Sequence, residues 1–277
     1  MADENVFQIG SRPWSGAEGK ALPIDKVVGS FDEAVADVAD GSLIHIGGFG
    51  GPAEYPSYLI AALARKGVKG LTITGNHSGF SEGQLAMMKQ RMSGMMAYPD
   101  DYFSPGILVE RGQVAKGILA FPVLPGAAFK VPFEELLEKG EVELELIGQG
   151  SLAERIRAAR AGIAAFYTPV GPGTVTQRDK EVRWFDGRPH LLERALKGDF
   201  SIIRAHKADR WGNLVYRGTA RTFNATMAGG SHVTIAEVDE IVELGELDPE
   251  CIITPAPYVQ RVVVRPQEPV SDWRTSC

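Results

Sequence analysis

The chain has 277 residues, 44% of them apolar, with two cysteines and a formal net charge of −6. The charge argues against a general nucleic-acid binder, which needs a concentrated basic surface, and two cysteines are too few for a disulfide framework. No apolar run reaches the roughly 20 residues that span a bilayer, and the acidic N-terminus lacks the apolar core of a secretory signal. We therefore expect a cytoplasmic protein that binds neither nucleic acid nor membrane.

From residue 26 onwards, short apolar runs alternate with segments of helical periodicity, a pattern typical of βαβ units. It predicts an α/β fold with an open, mostly parallel, doubly wound sheet flanked by helices. This domain covers residues 26–265, between an irregular N-terminal arm, 1–25, and a C-terminal tail, 266–277. The predicted helices begin at Ser30, Pro56, Pro132 and Ser151, with a further one at 191–196, and the predicted strands are 43–46, 71–74, 162–167 and 200–205.

The strand at 43–46 runs into a glycine-rich loop made of Gly47, Gly48, Phe49, Gly50 and Gly51. Glycine has no Cβ, so such a loop can turn sharply or approach a ligand closely. Open α/β sheets bind ligands at the carboxyl ends of their strands. No Lys-Ser or Lys-Thr follows, and the spacing differs from G-x-G-x-x-G, so neither a P-loop nor a dinucleotide site is indicated. The loop is either a substrate loop or a tightly packed corner between strand and helix.

Further motifs accompany the glycine loop in a fixed order. Asp40-Gly41 precedes it, Gly75-Asn76-His77-Ser78-Gly79 forms a predicted turn, and Gln149-Gly150-Ser151-Leu152-Ala153-Glu154-Arg155 is a long and specific run. The series continues through 166–174, 207–210, 220–224 and 258–261. Together these stretches, between residues 26 and 264, resemble the A subunit of class I CoA-transferases of the 3-oxoacid type.

The resemblance implies transfer of CoA between two acids, a reaction that must keep the energy of the thioester. A carboxylate nucleophile does so, because it forms a mixed anhydride from which the CoA thiolate is recaptured. In this family the nucleophile is a glutamate in a Ser-Glu-Asn-Gly setting on the B subunit, and this sequence contains no such motif. Ser81-Glu82-Gly83 imitates the motif without its asparagine, and we interpret it as the solvated start of a helix.

An A subunit can contribute hydrogen-bond donors to the oxyanions of the thioester and anhydride intermediates. Asn76 and Gln149 are side-chain amides beside small residues, and they match family positions implied in active-site contacts. The Gly47–Gly51 loop is a predicted substrate-binding segment whose backbone amides are further candidate donors. His77, which replaces an asparagine of the family turn, is a candidate substrate contact. The structural alternatives are a turn asparagine, a helix-flanking glutamine and a space-filling histidine.

His45 replaces an aliphatic residue of the signature strand, and without a metal-ligand partner at the right spacing we interpret it as structural. The methionines between 84 and 112 are expected in the core or in a subunit contact; the alternative is an acyl pocket with Tyr98 and Tyr102. For the phosphates of CoA, the candidate groups are a basic cluster interleaved with aromatic residues, and the alternative is an exposed basic strand pair. This cluster consists of Lys207, Arg210, Arg217 and Arg221 with Trp211 and Tyr216.

The resemblance thus predicts the A subunit of a heteromeric CoA-transferase that moves CoA from an acyl-CoA donor to a small carboxylic or 3-oxo acid. The B subunit supplies the glutamate, and the heterodimer doubles to α2β2. A coenzyme A thioester is the substrate, and no bound cofactor or metal is expected. Two alternatives remain: a CoA-thioester or ring-opening hydrolase on the same fold, and a non-enzymatic acyl-CoA-binding protein.

Overall fold

The computed structural model of the chain describes residues 24–51, 54–91, 98–123 and 129–275. Most of the predicted N-terminal arm, 1–23, and part of the methionine-rich segment, 92–97, lie outside the described residues. The helices are α1 (Phe31–Ala34), α2 (Ser57–Lys66), α3 (Glu82–Arg91), α4 (Gly106–Glu110), α5 (Pro132–Glu138), α6 (Gln149–Arg160) and α7 (Thr222–Met227). The strands are β1 (Leu43–Ile46), β2 (Leu71–His77), β3 (Val114–Phe121), β4 (Glu143–Leu146), β5 (Ala165–Thr168), β6 (Val182–Phe185), β7 (Arg188–Arg194), β8 (Gly198–Asp209), β9 (Leu214–Val215), β10 (Ser231–Val242) and β11 (Arg261–Val264).

A parallel sheet of order β11-β10-β8-β1-β2-β3-β4 forms the centre of the fold, and β9 pairs with β8 in the antiparallel direction. The chain adds strands outwards from β1 to β4 and then returns to β8, on the other side of β1. The strand order therefore reverses at β1 and β8, and open sheets bind ligands outside the carboxyl ends of the strands at such a point. The parallel pairing confirms the predicted doubly wound sheet.

Helices cover both faces of this sheet. Ile202 and Ile203 are neighbours on β8, and because side chains alternate between faces they belong to two different hydrophobic clusters. The first cluster includes Leu59 of α2 and Ile107 of α4, and the second includes Ile156 of α6. Burial on both faces explains why the central strands read as continuous apolar runs.

Two helix predictions are wrong. The segment 191–196, predicted as helical, lies largely in β7, which belongs to a separate antiparallel sheet of order β5-β7-β6. Asp186 and Gly187 join β6 to β7 with positive φ at both residues, as a two-residue hairpin turn requires. The helix predicted from Ser151 begins earlier, at Gln149, because the backbone leaves its extended conformation at Gly148, which acts as N-cap without a side-chain bond.

The remaining predicted helix starts are confirmed. Ser30 accepts a hydrogen bond from the Glu33 amide at the beginning of α1, α2 follows directly on Pro56, and Pro132 is the first residue of α5. In the methionine-rich segment, Met88 and Tyr98 pack against the first hydrophobic cluster and Tyr102 is buried within it. These three residues confirm the core interpretation for the described part of that segment.

A buried carboxylate holds the beginning of α2. Glu237 on β10 has no exposed surface and accepts hydrogen bonds from the Tyr58 and Leu59 amides at 2.9 and 3.1 Å. Arg265 forms ion pairs with Glu237 and Asp101, and its guanidinium carbon lies 4.7 Å from the centre of the Tyr58 ring. The charge of Glu237 is thus balanced by the donors of a helix N-terminus and by one cation.

The chain after β11 folds back onto α3. Trp273 is 5% exposed, its indole N–H donates to Glu82, and its carbonyl accepts from Arg65 at 2.7 Å. The guanidinium carbons of Arg111 and Arg274 lie 4.7 and 4.8 Å from the centre of the Trp273 ring. Glu82 is the first residue of α3, as predicted, but it is engaged by Trp273 and Arg274 and is not freely solvated.

The Arg265→Met variant should lose about 3–5 kcal/mol of unfolding free energy, because it leaves the carboxylates of Glu237 and Asp101 buried without their cation. Urea denaturation followed by circular dichroism measures this loss. Arg183→Met is the matched control, since Arg183 forms an exposed ion pair with Glu181 at 2.8 Å and exposed pairs add little. A loss in Arg265→Met no larger than in this control would contradict the assignment of Arg265 as the balancing cation.

Candidate active site

Asn76 and Gln149, which lie 73 residues apart in the sequence, meet at the carboxyl edge of the parallel sheet. Asn76 is the penultimate residue of β2, which runs three residues beyond its predicted end, and Gln149 is the first residue of α6, immediately after β4. The Gln149 Nε2 donates to the Asn76 Oδ1 at 2.5 Å, and the Asn76 Nδ2 donates to the carbonyl of Phe49 in the glycine loop. Three separately predicted site elements thus form one hydrogen-bonded group.

The Phe49 carbonyl fixes the orientation of both side-chain amides. A backbone carbonyl can only accept, so Asn76 must turn its NH2 group towards Phe49 and its oxygen towards Gln149. Gln149 must then present its own NH2 group to Asn76. Each amide uses one of its two N–H bonds in this chain of contacts, so the second N–H of each is the donor available to a substrate oxygen.

The glycine loop does not supply free backbone donors, and that part of the prediction is wrong. The Phe49, Gly50 and Gly51 amides all donate to one carboxylate oxygen of Glu54, at 2.8, 3.0 and 3.1 Å. The Gly47 amide donates to the Ile202 carbonyl at 2.9 Å, as a continuation of the β1–β8 pairing. An acidic side chain of the chain itself therefore occupies the N–H groups expected to face a substrate.

Close packing explains two of the glycines. A Cβ on Gly47 would lie 1.8 Å from Oδ1 of Asn224, and one on Gly48, whose φ is +109°, would lie 2.9 Å from the ring of Tyr55. Asn224 is fully buried, accepts from the Arg204 amide and donates to the Glu54 carbonyl, each at 2.8 Å. The loop is thus a tightly packed corner, and it is also joined to the two candidate amides.

Sequence reasoning missed Glu54 and Asn224. Glu54 lies in the short stretch where the chain departs from the family pattern after the glycine loop, and that departure was its only signal. Asn224 stands in the quoted motif 220–224, but nothing in the sequence alone indicates that it binds the loop.

His77 lies beside Asn76 with one nitrogen engaged. Its Nδ1 accepts from the Gly79 amide at 2.7 Å, so the proton of the neutral ring is on Nε2, which is buried without a partner among the described residues. Burial lowers the pKa of His77 to about 4. The predicted substrate contact stays a prediction, and the ring that would make it is an uncharged N–H donor at neutral pH.

His45 lies in the core, fully buried, with Nδ1 2.5 Å from the Thr74 hydroxyl. Burial lowers its pKa to about 4 as well. Its ring packs against Gly198 and Gly230, where a Cβ would lie 3.0 and 3.6 Å from ring atoms. These contacts confirm the structural interpretation of His45.

The predicted basic cluster for CoA phosphates does not form as a unit. Lys207 pairs with Glu240 at 2.7 Å, Arg210 pairs with Asp25 at 2.8 Å, and Tyr216 is buried with its hydroxyl on Thr254. The parallel register of β8 with β10 places acidic residues opposite the basic ones, which the sequence pattern alone does not reveal. Arg217 instead lines a cavity of about 330 Å³ whose other charged lining residues are Arg204, His206 and Asp239.

Among the described residues there is no group of His, Cys, Asp and Glu side chains suited to hold a metal ion. None of the helices in that part of the chain has the length and apolar character needed to cross a bilayer.

The fold should lose stability as the pH falls from about 6.5 towards 4. His45 and His77 have pKa values of about 4 when folded and 6.5 as the ordinary value, so the unfolded chain binds more protons in this window. His77→Asn retains an acceptor for the Gly79 amide and should flatten the pH dependence of the unfolding free energy. His232→Asn, at an exposed position, is the control. An unchanged pH dependence in His77→Asn would contradict the buried, neutral state of this ring.

Comparison with known proteins identifies the family. Residues 28–265 match the family model described as coenzyme A transferase. The chain is 45% identical over 240 residues to the A subunit of the 3-oxoadipate CoA-transferase of Pseudomonas putida, covering 87% of this chain and 94% of that protein. It is 39% identical over 239 residues to the A subunit of the succinyl-CoA:3-ketoacid coenzyme A transferase of Helicobacter pylori J99, covering 86% and 92% respectively.

A solved structure shows the same fold. An acyl-CoA transferase from E. coli O157:H7, as a thioester complex with CoA, superposes with a TM-score of 0.67 at 20% identity. The match covers 88% of this chain and 50% of that one, so this chain corresponds to about half of it. The family match and the two relatives agree with the resemblance found in the sequence. The chain belongs to the coenzyme A transferase family and is a CoA-transferase A subunit of the 3-oxoacid type.

Proposed function

We propose that this A subunit helps to move CoA from succinyl-CoA to a 3-oxo acid, with Asn76 and Gln149 as oxyanion donors. The observation that carries the proposal is the pair of side-chain amides at the carboxyl edge of the sheet, oriented by the Phe49 carbonyl so that each keeps one N–H outside this chain of contacts. Neutral donors of fixed orientation are what a tetrahedral oxyanion needs.

The nucleophile in this proposal is a glutamate of a B subunit. Its carboxylate oxygen attacks the acyl-CoA carbonyl, the tetrahedral oxyanion collapses, and the C–S bond breaks to give an acyl-glutamyl anhydride and CoA thiolate. The thiolate then attacks the glutamyl carbonyl and releases the first acid, and the acceptor acid completes the exchange through the reverse steps. Asn76 and Gln149 donate to the oxyanion in each step, while His77 and the glycine loop border the substrate.

The names of the relatives support the choice of substrates. Two curated proteins at 45% and 42% identity are named as A subunits of 3-oxoadipate CoA-transferases, and others at 39–42% identity are named as A subunits of succinyl-CoA:3-ketoacid coenzyme A transferases. A 3-oxo acid is common to both names. These names favour transfer over the hydrolase and the acyl-CoA-binding alternatives.

The partner in this proposal is a CoA-transferase B subunit, forming a heterodimer that doubles to α2β2 in the cytoplasm. The relatives are named as one lettered subunit of a larger enzyme, which supports a second chain. The absence of a Ser-Glu-Asn-Gly motif from this sequence supports the same division of labour.

The test is to co-express the chain with the product of the adjacent reading frame and to measure 3-oxoacyl-CoA formed from succinyl-CoA and 3-oxoadipate or acetoacetate. Asn76→Ala and Gln149→Ala should each lower kcat about 100- to 1000-fold, as loss of one oxyanion donor does. The losses should not multiply in the double variant, because the two amides hold each other.

Gln84→Ala is the matched control, since Gln84 is also a side-chain amide in the first turn of a helix, donating to the Lys130 carbonyl at 2.6 Å. It should leave kcat unchanged. Hydroxylamine trapping should locate the glutamyl-CoA thioester on the partner chain. Release of CoA without transfer, or activity of this chain alone, would contradict the proposal.

A further inference from the structure

Glu54 is the internal ligand of the glycine loop. Its side chain follows the loop by only three residues, is 5% exposed, and collects the amide protons of Phe49, Gly50 and Gly51 on one oxygen at 2.8, 3.0 and 3.1 Å. Its own backbone is also fixed, because its amide donates to the Gly51 carbonyl at 3.1 Å and its carbonyl accepts from Asn224 at 2.8 Å. The carboxylate cannot be displaced without disturbing these contacts.

Three consecutive amides can point at one oxygen only if the backbone between them is sharply curved, as in an anion-binding nest. Without an anion at its centre, the three N–H dipoles converge on an empty point and repel one another. The curvature of the loop, and therefore the direction of the Phe49 carbonyl, depends on a negative charge at this position.

We propose that Glu54 is a positioning residue of the transferase site, acting through the loop on the two amides. The carboxylate of Glu54 shapes the loop, the Phe49 carbonyl of the loop orients Asn76, and Asn76 orients Gln149. Glu54 itself touches no substrate. This inference rests on the proposed function, since its effect is expressed through the donors of Asn76 and Gln149.

Glu54→Gln is the first test, because glutamine has the same shape and lacks the charge. In the complex with the B subunit, kcat should fall on the order of 10- to 100-fold, the loss expected when donors are displaced by about 1 Å. KM for either substrate should change little, since the donors act on the transition state.

Asp209→Asn is the matched control. Asp209 is likewise a buried carboxylate, 4% exposed, that accepts the amides of Trp211 and Asn213 at 3.0 and 2.9 Å. It lies at the end of β8, beyond the pairing of that strand with β1. Asp209→Asn should lower the melting temperature and leave kcat unchanged. Unchanged kcat in Glu54→Gln, or an equal loss of kcat in Asp209→Asn, would overturn the inference.

Glu54→Ala tested with added formate provides a second measurement if Glu54→Gln does not fold. Formate is a carboxylate small enough for the space that the truncation leaves, so kcat of Glu54→Ala should rise with formate, while the wild type and Asn76→Ala should not respond. A folded Glu54→Ala with wild-type kcat would overturn the inference. If the wild-type complex transfers no CoA, the proposed function fails; if Asn76→Ala is slow and Glu54→Gln is not, this inference alone fails.

Discussion

The fully buried carboxylate of Glu237 fixes where α2 begins, and the arrangement of the candidate site follows from that position. Glu237 lies on β10, near the centre of the sheet, and holds the Tyr58 and Leu59 amides while Arg265 balances its charge. The glycine loop and Glu54 span the short distance between the end of β1 and the start of α2. Because β1 is fixed by its two neighbouring strands and α2 by Glu237, both ends of the loop are held, and the loop in turn holds Asn76.

The candidate site is polar without being charged towards the substrate. Its donors are two side-chain amides, its histidine is neutral because burial lowers the pKa of His77 to about 4, and its acidic residue faces the loop backbone. Such donors stabilise an oxyanion without changing protonation state near neutral pH. The groups that change charge during the proposed reaction, a carboxylate nucleophile and a thiolate, come from the partner chain and the substrate. The chain described here contributes, on this view, a fixed geometry.

The sequence predicted the strands at the sheet centre well, because β1 and β8 are buried on both faces and read as apolar runs. It also predicted the contact group of Asn76, Gln149 and the loop, through motifs that match a family. It failed where the partner of a residue is distant. Ser151 has the pattern of a helix cap, yet the turn begins at Gly148, after β4 ends. The basic residues of β8 look like an anion site until the register with β10 places Glu240 beside Lys207. The hairpin at Asp186-Gly187 carries a readable turn signal, which the helical interpretation of 191–196 did not use.

The order of the strands has a consequence for biosynthesis. β1 is translated early, but its neighbour β8 follows much later, and the Leu43 amide donates to Asp199, 156 residues further along. Glu237 and Arg265, which secure α2, are translated later still. A ribosome that has released β1 to β4 therefore carries a half-sheet with an unpaired apolar edge and an uncapped helix. Pairings of such large sequence separation form slowly and leave aggregation-prone surface exposed. The yield of this protein in a cell should depend on chaperone capacity and growth temperature more than on the stability of the finished fold.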